Sequence, residues 1–362
     1  MATENDPLNI AALQSDLAQA GATWTAGPTA LTALTPEQRR LMLGADPPDG
    51  DAGLDALEAD SAAHAGYALA RADAPTKVDL KDYCQPVRNQ GACGSCVSFG
   101  TVAAMEGTAR FDAKNAGLAI DLSEAHLFYG HAKAEGRTCS TGWWPDKALT
   151  AVRDKGIVDE ACCPYTAGDQ TAVLCADASE RLVHVTSYKG TANVTEMKEW
   201  LATKGPMVGC FNVYEDFWAY RTGVYRHQSG DRVGGHCILI TGYDDNQRAW
   251  LGKNSWGTGW GESGFFRIGY GEVGIDAEMW GVEMPEPESA AWLKRRQVTG
   301  LWAIAEERNA AAYLAGVGWK RVGGTSDGDF LAMFNALQSA RETKTQVDIR
   351  LIDDRIVEVY VF

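Results

Sequence analysis

The sequence predicts an α+β protein in which a helical half precedes a half rich in strands, followed by a small C-terminal α+β module. A glycine-rich loop leads into a helix-like stretch over residues 97–112, which predicts the helical half. Apolar runs at residues 183–189 and 207–213 and around His236 predict strands. Two alternating segments within residues 347–361, separated by a turn, predict a hairpin in the module.

The composition is that of a folded, acidic chain. It has 362 residues, of which 45% are hydrophobic, and a formal net charge of −15. This hydrophobic share suffices for a packed core, and the negative charge argues against nucleic acid or an anionic membrane as a partner. No stretch approaches the ~20 apolar residues of a membrane-spanning helix. The first 17 residues lack the basic start and apolar run of a signal peptide.

The N-terminal part is predicted to hold two short helices and a linker. Residues 8–20 have apolar side chains at helical spacing. Thr35, followed by Pro36 and by Gln38, forms a capping-box pattern for a second helix that ends at Gly44. Residues 45–74 are rich in Ala, Asp, Gly and Pro, which predicts a linker or a loosely structured arm.

Nine cysteines favour an oxidising compartment, and their odd number leaves at least one free thiol. A zinc site is not favoured, because no CxxC pair is matched by a second pair or by clustered histidines. Cys93 and Cys96 have CxxC spacing, which also fits a thioredoxin-like redox motif, but the βαβ context of that motif is absent. No metal and no cofactor are expected.

Cys96 is the candidate nucleophile. It stands where the glycine-rich loop meets the predicted helix, and the helix N-terminus favours a negative charge. A thiol placed there is expected to ionise more easily. Taken alone, a buried cysteine is more often an inert small hydrophobe, and a histidine in an apolar strand, such as His236, is more often a core residue.

Four ordered motifs resemble the papain family of cysteine proteases, to which the cathepsins belong. They are the stretches Gln90–Cys96 (QGACGSC), Gly234–Tyr243 (GGHCILITGY) and Lys253–Phe266 (KNSWGTGWGESGFF), with Val78–Lys81 (VDLK) at the family's mature start. Together they outweigh the plainer interpretations. The resemblance implies a papain-like two-lobed fold, with a helical lobe, a β-barrel-like lobe and a cleft between them.

The resemblance also implies a catalytic role for each matched residue. Cys96 would attack the peptide carbonyl as a thiolate, with His236 as its acid–base partner. Asn254 would orient the imidazole, shielded by Trp256, and Gln90 would donate to the oxyanion together with the Cys96 backbone N–H.

The family's substrate-binding residues fall on five other positions. The resemblance places Gly142, Trp144, Gly235, Cys210 and Cys237 along the cleft. Trp144, Cys210 and Cys237, together with Gly234, would lie near the pocket for the residue two before the scissile bond. Such a pocket would prefer apolar or aromatic side chains. A disulfide between Cys210 and Cys237, or simple core packing, remains an equal alternative.

The resemblance further implies two disulfides. Cys93 would bridge to Cys139, the family's most regular pair. One of Cys162 and Cys163 would pair with Cys175, and Cys163 is taken as the working assignment while the choice stays open. Cys84 has no assigned partner.

The expected organisation has three parts. Residues 1–75 occupy the place of a prosegment that covers the cleft as an intramolecular inhibitor, residues 76–286 form the catalytic domain, and residues 287–362 form the C-terminal module without a catalytic constellation. Within the module, helices are predicted at residues 302–314 and 329–339.

The expected function is a monomeric, secreted cysteine endopeptidase that acts on polypeptides and is made as a zymogen. A thiol-dependent transpeptidase or ligase, or a non-catalytic peptide-binding module, remain alternatives.

Overall fold

The computed structural model describes residues 8–64, 75–285, 291–303, 309–323, 326–352 and 355–362. It divides the chain into two compact units, residues 1–284 and 285–362. Across the described ranges, none of the helices has the length and apolar character needed to span a bilayer.

The first unit contains six α-helices and several shorter helical turns among its described residues. The helices are α1 (Ile10–Ala20), α2 (Pro36–Arg40), α3 (Asp51–Ala62), α4 (Cys96–Asp112), α5 (Pro145–Lys155) and α6 (Val194–Thr203). The turns are a π-helical turn at His126–Ala132 and 3₁₀ turns at Lys81–Tyr83, Ala178–Glu180 and Glu215–Ala219.

The strands of the first unit form one nine-stranded sheet. They are β1 (Trp24–Ala26), β2 (Lys77–Asp79), β3 (Ser187–Thr191), β4 (Met207–Tyr214), β5 (Tyr220–Tyr225), β6 (Arg232–Asp244), β7 (Ala249–Lys253), β8 (Phe265–Gly269) and β9 (Met279–Glu283). Their order is β1-β5-β8-β7-β6-β4-β9-β3, and β2 pairs with β6. The helix α4 is buried along nearly its whole length and packs against β6, so the start of α4 and the middle of β6 lie side by side.

The N-terminal helices confirm the helix predicted over residues 8–20, present as α1, and the capping box, and they correct the predicted linker. Thr35 and Gln38 form the predicted capping box, although α2 ends at Arg40, before Gly44. The expectation of a linker over residues 45–74 was wrong for part of that range, because residues 51–62 form α3. Composition hid this helix, but Leu54 and Leu57 give it one buried apolar face. Residues 65–74 lie outside the described residues.

The second unit is a small closed barrel with one helix. Its strands are β10 (Ala291–Ala303), β11 (Ala310–Leu314), β12 (Gly318–Val322), β13 (Gln346–Ile352) and β14 (Arg355–Val361), and its helix is α7 (Asp327–Thr343). The barrel order is β10-β11-β12-β14-β13. The helix predicted at residues 329–339 and the C-terminal hairpin are both present.

The prediction of a helix at residues 302–314 was wrong. β10 ends at Ala303, and β11 occupies residues 310–314, with residues 304–308 outside the described ones. Ala310, Ala312 and Leu314 point into the barrel with a period of two. Alanine-rich sequence favoured a helix locally, but closure of the barrel overrides that propensity.

The second unit can be tested for independent unfolding. Leu337 of α7 is fully buried in the barrel core, so Leu337→Ala should destabilise that unit by about 2–5 kcal/mol. Calorimetry should show a lower midpoint for one transition and an unchanged midpoint for the transition of residues 1–284. The matched control is Leu331→Ala on the exposed side of the same helix, which should move neither midpoint. A single transition shifted as a whole would contradict the division.

Candidate active site

Cys96 is the first residue of α4 and lies at its N-terminus, as predicted. The loop before it is held by a disulfide between Cys93 and Cys139, the first predicted pair. Tyr165 also holds this loop, because its hydroxyl donates to the Gln90 carbonyl at 2.8 Å and lies 2.7 Å from the Ser95 hydroxyl. The nucleophile candidate therefore sits on a covalently and sterically fixed turn.

His236 on β6 is oriented by Asn254, Trp256 and Phe211. Its Nε2 lies 2.8 Å from Asn254 Oδ1, and its ring stacks on the Trp256 indole at a centroid distance of 4.4 Å. Phe211 meets the same ring edge-on at 5.8 Å. Its other nitrogen, Nδ1, is buried and has no hydrogen-bond partner among the described residues. Nδ1 is thus the ring nitrogen that is available for proton exchange.

The Cys96 thiol lies beside the residue that follows this histidine. The backbone N–H groups of Cys237, of Gly44 and of Val97 all face the thiol. The structure therefore brings Cys96, His236 and Asn254 together, as the motifs predicted, with Trp256 covering the ring.

Gln90 is also placed at the site. Its backbone N–H donates to the Ser255 carbonyl at 2.9 Å, and its Oε1 accepts from the Ser255 hydroxyl at 2.6 Å. These two bonds fix the amide, so that Nε2 points to the backbone carbonyls of Cys93 at 2.8 Å and of Met42 at 3.0 Å. The oxyanion donor candidate is thus already engaged by an N-terminal carbonyl.

A segment of the N-terminal part, residues 42–46, occupies the cleft. The Gly44 and Ala45 N–H groups both donate to the Gly235 carbonyl at 3.1 Å. Trp143 N–H donates to the Gly44 carbonyl at 2.8 Å, and Asp46 N–H donates back to Trp143 at 2.9 Å. Residues 42–46 are called the cleft segment below.

Glycines make this close approach possible. A Cβ on Gly44 would lie 2.0 Å from the Gly94 carbonyl oxygen, and a Cβ on Gly142 would lie 2.3 Å from the Gly44 oxygen. Gly142 also has a φ of +59°, which side chains rarely adopt. Gly142, predicted to lie along the cleft, therefore lies directly against the Gly44 carbonyl of the cleft segment.

Helix α3 anchors the cleft segment on the strand side. Glu58 accepts hydrogen bonds from the Asn212 amide at 2.5 Å and from the Tyr214 hydroxyl at 2.8 Å. Arg232 forms an ion pair with Asp55. Leu54 packs on Gly235, where a Cβ would lie 2.9 Å from its Cδ2. Polar and apolar contacts thus hold the N-terminal part over the cleft.

Burial dominates the electrostatics of the covered site. It raises the pKa of the Cys96 thiol well above its usual range, and the charge of Cys237 adds to this effect. Burial also lowers the pKa of His236 to about 4, against the opposing hydrogen bond to Asn254. The sequence led us to expect an easily ionised thiol, and that expectation was wrong for the covered state. Desolvation outweighs the helix N-terminus there, so both groups are neutral.

The remaining predicted cleft residues are placed as follows. Gly235 contacts the cleft segment, and Trp144 meets Trp280 edge-on at 5.7 Å. Cys210 and Cys237 are buried and lie opposite each other on β4 and β6. Both are free thiols, so the alternative of a disulfide between them is not realised in this structure.

The second disulfide corrects the working assignment of Cys163. Cys162 pairs with Cys175, and Cys163 is a buried free cysteine. Consecutive side chains point in different directions: Cys162 faces the loop that carries Cys175, whereas burial in the core raises the pKa of the Cys163 thiol. Cys84 is also free.

Sequence reasoning missed two carboxylates near the pocket. Glu278 is half-buried; burial and then the charge of Asp146 raise its pKa, and its own charge in turn acts on the Cys210 thiol. Asp146 has one buried oxygen without a hydrogen-bond partner among the described residues. No spacing signal marks either residue, because they come from α5 and from the turn before β9. No group of three or more metal-ligating side chains occurs in the described part of the chain.

The neutral His236 predicts a pH dependence of stability. Its folded pKa of about 4 lies below the ordinary value of 6.5, so the unfolded chain binds more protons between these values. This stabilising contribution is complete above pH ~6.5 and is lost as the pH falls towards 4. Relative to a His236→Gln variant, the wild-type free energy of unfolding should fall by about 3 kcal/mol between pH 7 and pH 4 in denaturant titrations.

The control for this titration is His64→Gln. A hydrogen bond to Asp276 raises the pKa of His64, so its contribution has the opposite sign and is lost as the pH rises. Wild type and His236→Gln with parallel pH profiles would contradict a neutral buried histidine.

Comparison with known proteins agrees with this geometry. "Cathepsin B-like CP2" of Giardia intestinalis is 35% identical over 227 residues, which cover 58% of this chain and 74% of that protein. "Gut-specific cysteine proteinase" of Caenorhabditis elegans is 31% identical over 218 residues, covering 53% and 66%.

Solved structures of proforms share the fold. Digestive procathepsin L2 from Tenebrio molitor larval midgut matches with a TM-score of 0.62 at 27% identity, covering 76% of this chain and 89% of that one. The proCathepsin B S9 structure from Trypanosoma congolense matches with a TM-score of 0.64 at 23% identity, covering 78% and 100%, and bears on the fold alone. The family model described as "Papain family cysteine protease" matches residues 74–283. The chain belongs to the papain family of cysteine proteases.

Proposed function

We propose that this chain is the zymogen of a cysteine endopeptidase that cleaves polypeptides with Cys96 as nucleophile and His236 as acid–base partner. Asn254 holds the imidazole, and Gln90 with the Cys96 N–H forms the oxyanion hole. The observation that carries the proposal is the hydrogen bond from Gln90 Nε2 to the Met42 carbonyl. A polypeptide carbonyl already lies where the oxyanion donor points.

The chemistry follows from these positions. When the cleft segment leaves, water regains access to Cys96 and His236, which reduces the desolvation that keeps both neutral. His236 Nδ1 then takes the thiol proton and later gives it to the leaving amine. Asn254 Oδ1 accepts from Nε2–H and thereby fixes the tautomer that presents Nδ1 to the thiol. Water hydrolyses the thioester and restores the free cysteine.

Residues 1–75 act as the inhibitory prosegment in this proposal, and residues 76–286 as the catalytic domain. Ala45 forms a parallel bridge with Trp143. A substrate bound with the opposite chain direction would pair with the same backbone groups in the antiparallel sense. The peptide bonds of the cleft segment are therefore presented to the site in the reverse orientation to the scissile bond of a substrate. The same backbone groups thus recognise the prosegment without cleaving it.

The carboxylates Glu278 and Asp146 bear on specificity. They lie near Cys210 and Trp144, in the pocket assigned to the residue two before the scissile bond. Asp146 Oδ1 has no hydrogen-bond partner among the described residues, and no cation is among the groups that shift the pKa of Glu278. A half-buried carboxylate without a cationic partner is only partly solvated, and a lysine or arginine of the substrate would provide that partner. The pocket therefore accepts basic side chains in addition to the apolar ones predicted from sequence.

The two disulfides fit an oxidising compartment, and we propose that the protein works there, outside reducing cytosol.

Substitution of the two central groups tests the proposed function. Cys96→Ala should abolish peptide hydrolysis by the activated enzyme, because no nucleophile remains. Gln90→Ala should lower kcat by about 10²–10³-fold through loss of one oxyanion donor. Hydrolysis of a fluorogenic peptide measures both, and product masses separate hydrolysis from transfer to an amine.

The matched control is Cys163→Ser, a buried free cysteine outside the cleft. Its activity should stay within about twofold of wild type if the variant is folded. Peptide cleavage by folded Cys96→Ala would refute the assignment of the nucleophile.

Specificity is tested with Glu278→Gln, which removes the charge and keeps the shape. The ratio of kcat/KM for an arginine over a phenylalanine two residues before the scissile bond should fall at least about tenfold, because one ion pair to the substrate is lost. Asp154→Asn, a change of the same kind on an exposed helix end, is the control. An unchanged ratio in Glu278→Gln would mean that the carboxylate does not face the substrate.

A further inference from the structure

Two of the five free cysteines form a facing pair behind the cleft. Cys210 on β4 and Cys237 on β6 are opposite each other in the antiparallel register, so their side chains project from the same face of the sheet. Both are buried, and neither is in a disulfide. The mechanism uses neither thiol.

The Cα–Cα distance of facing residues in an antiparallel sheet depends on whether the two residues exchange backbone hydrogen bonds. Two residues along, Asn212 and Gly235 also face each other, but Asn212 N–H donates to Val273 at 2.8 Å and the Gly235 oxygen accepts from the cleft segment. Neither group points to the opposite strand, so that pair is of the non-hydrogen-bonded kind. The register between the strands is unbroken from there to Cys210 and Cys237.

Hydrogen-bonded and non-hydrogen-bonded pairs alternate along two antiparallel strands. Cys210 and Cys237 lie two residues from the pair described above, so they are a non-hydrogen-bonded pair as well. Such pairs have Cα atoms ~4.5 Å apart, within the ~4.4–6.8 Å range that a disulfide spans. Each thiol is also among the groups that shift the pKa of the other, as expected for two side chains in close proximity. The backbone therefore needs little movement to bring the sulfur atoms into bonding distance.

The Cys237 side chain packs closely against α4. A Cβ on Gly100 of α4 would lie 2.9 Å from Cys237 Sγ, so only glycine leaves room for the sulfur there. Gly100 is one helical turn after Cys96, on the same side of α4. The pair thus sits directly behind the candidate nucleophile.

We propose that Cys210 and Cys237 are an oxidative modification site that a peroxide converts into a reversible cross-strand disulfide. Hydrogen peroxide transfers one oxygen atom to one thiol, which becomes a sulfenic acid, and the other oxygen leaves as water. The second thiol then attacks that sulfur, the S–S bond forms and a second water leaves. A dithiol reductant returns both thiols. The bond would lie in the wall of the cleft, beside His236.

The cross-link is tested by mass spectrometry on the full chain carrying Cys96→Ala. This background removes the other thiol of the cleft, and it makes the result independent of the proposed function, since no turnover is required. After treatment with hydrogen peroxide and alkylation under denaturing conditions, the protein should have lost two alkylated thiols. Trypsin should release peptide 205–221 linked to peptide 233–248. Dithiothreitol should restore both thiols.

Two variants in the same background control the experiment. Cys210→Ser should give no linked peptide, whereas Cys163→Ser, which removes a buried cysteine elsewhere, should give the same linked peptide as its parent. The proposal is overturned if Cys210 and Cys237 remain separately alkylated or become sulfinic acids. It is equally overturned if either thiol is found linked to another cysteine.

Discussion

The state of the candidate active site depends on the backbone contact between the cleft segment and the cleft floor. A polypeptide can lie this deep only if its own N–H and C=O groups find partners, since unpaired buried ones are costly. Gly235 and Trp143 supply those partners, and Gln90 Nε2 donates a hydrogen bond to the Met42 carbonyl. Glycines at the closest approach, above all Gly44 against Gly94, leave the room that a side chain would fill.

This covering explains the electrostatics of the site. The fold brings Cys96, His236 and Asn254 together regardless of charge, but the cleft segment excludes water and makes both ionisable groups neutral. Desolvation is a penalty on charged forms, so it is removed when water returns. The same contacts that occupy the cleft therefore also keep the thiol in its unreactive form. In the proposed zymogen, inhibition would therefore have a steric part and an electrostatic part, both caused by the cleft segment.

The sequence predicted the residues of the candidate active site better than the structure of the N-terminal part that lies over it. Cys96, His236, Asn254 and Gln90 come from motifs whose residue types serve one chemistry at fixed positions, and the structure brings them together. Helix α3 was missed because its Ala- and Asp-rich composition resembles a linker, and only the packing of Leu54 and Leu57 makes it a helix. Likewise, Glu278 and the choice of Cys162 over Cys163 depend on tertiary contacts between distant segments. A local sequence pattern does not specify such contacts between distant segments.

The most direct measurement is the rate at which an irreversible epoxide inhibitor of papain-like enzymes labels Cys96, followed by intact mass at neutral pH. It compares the full chain with a Gly44→Leu variant, whose side chain cannot fit against Gly94. The account predicts slow labelling of the full chain and labelling at least about tenfold faster in the variant, at Cys96 alone. Equal, rapid labelling of both folded proteins would contradict it, because the cleft would then be open without displacement of the cleft segment.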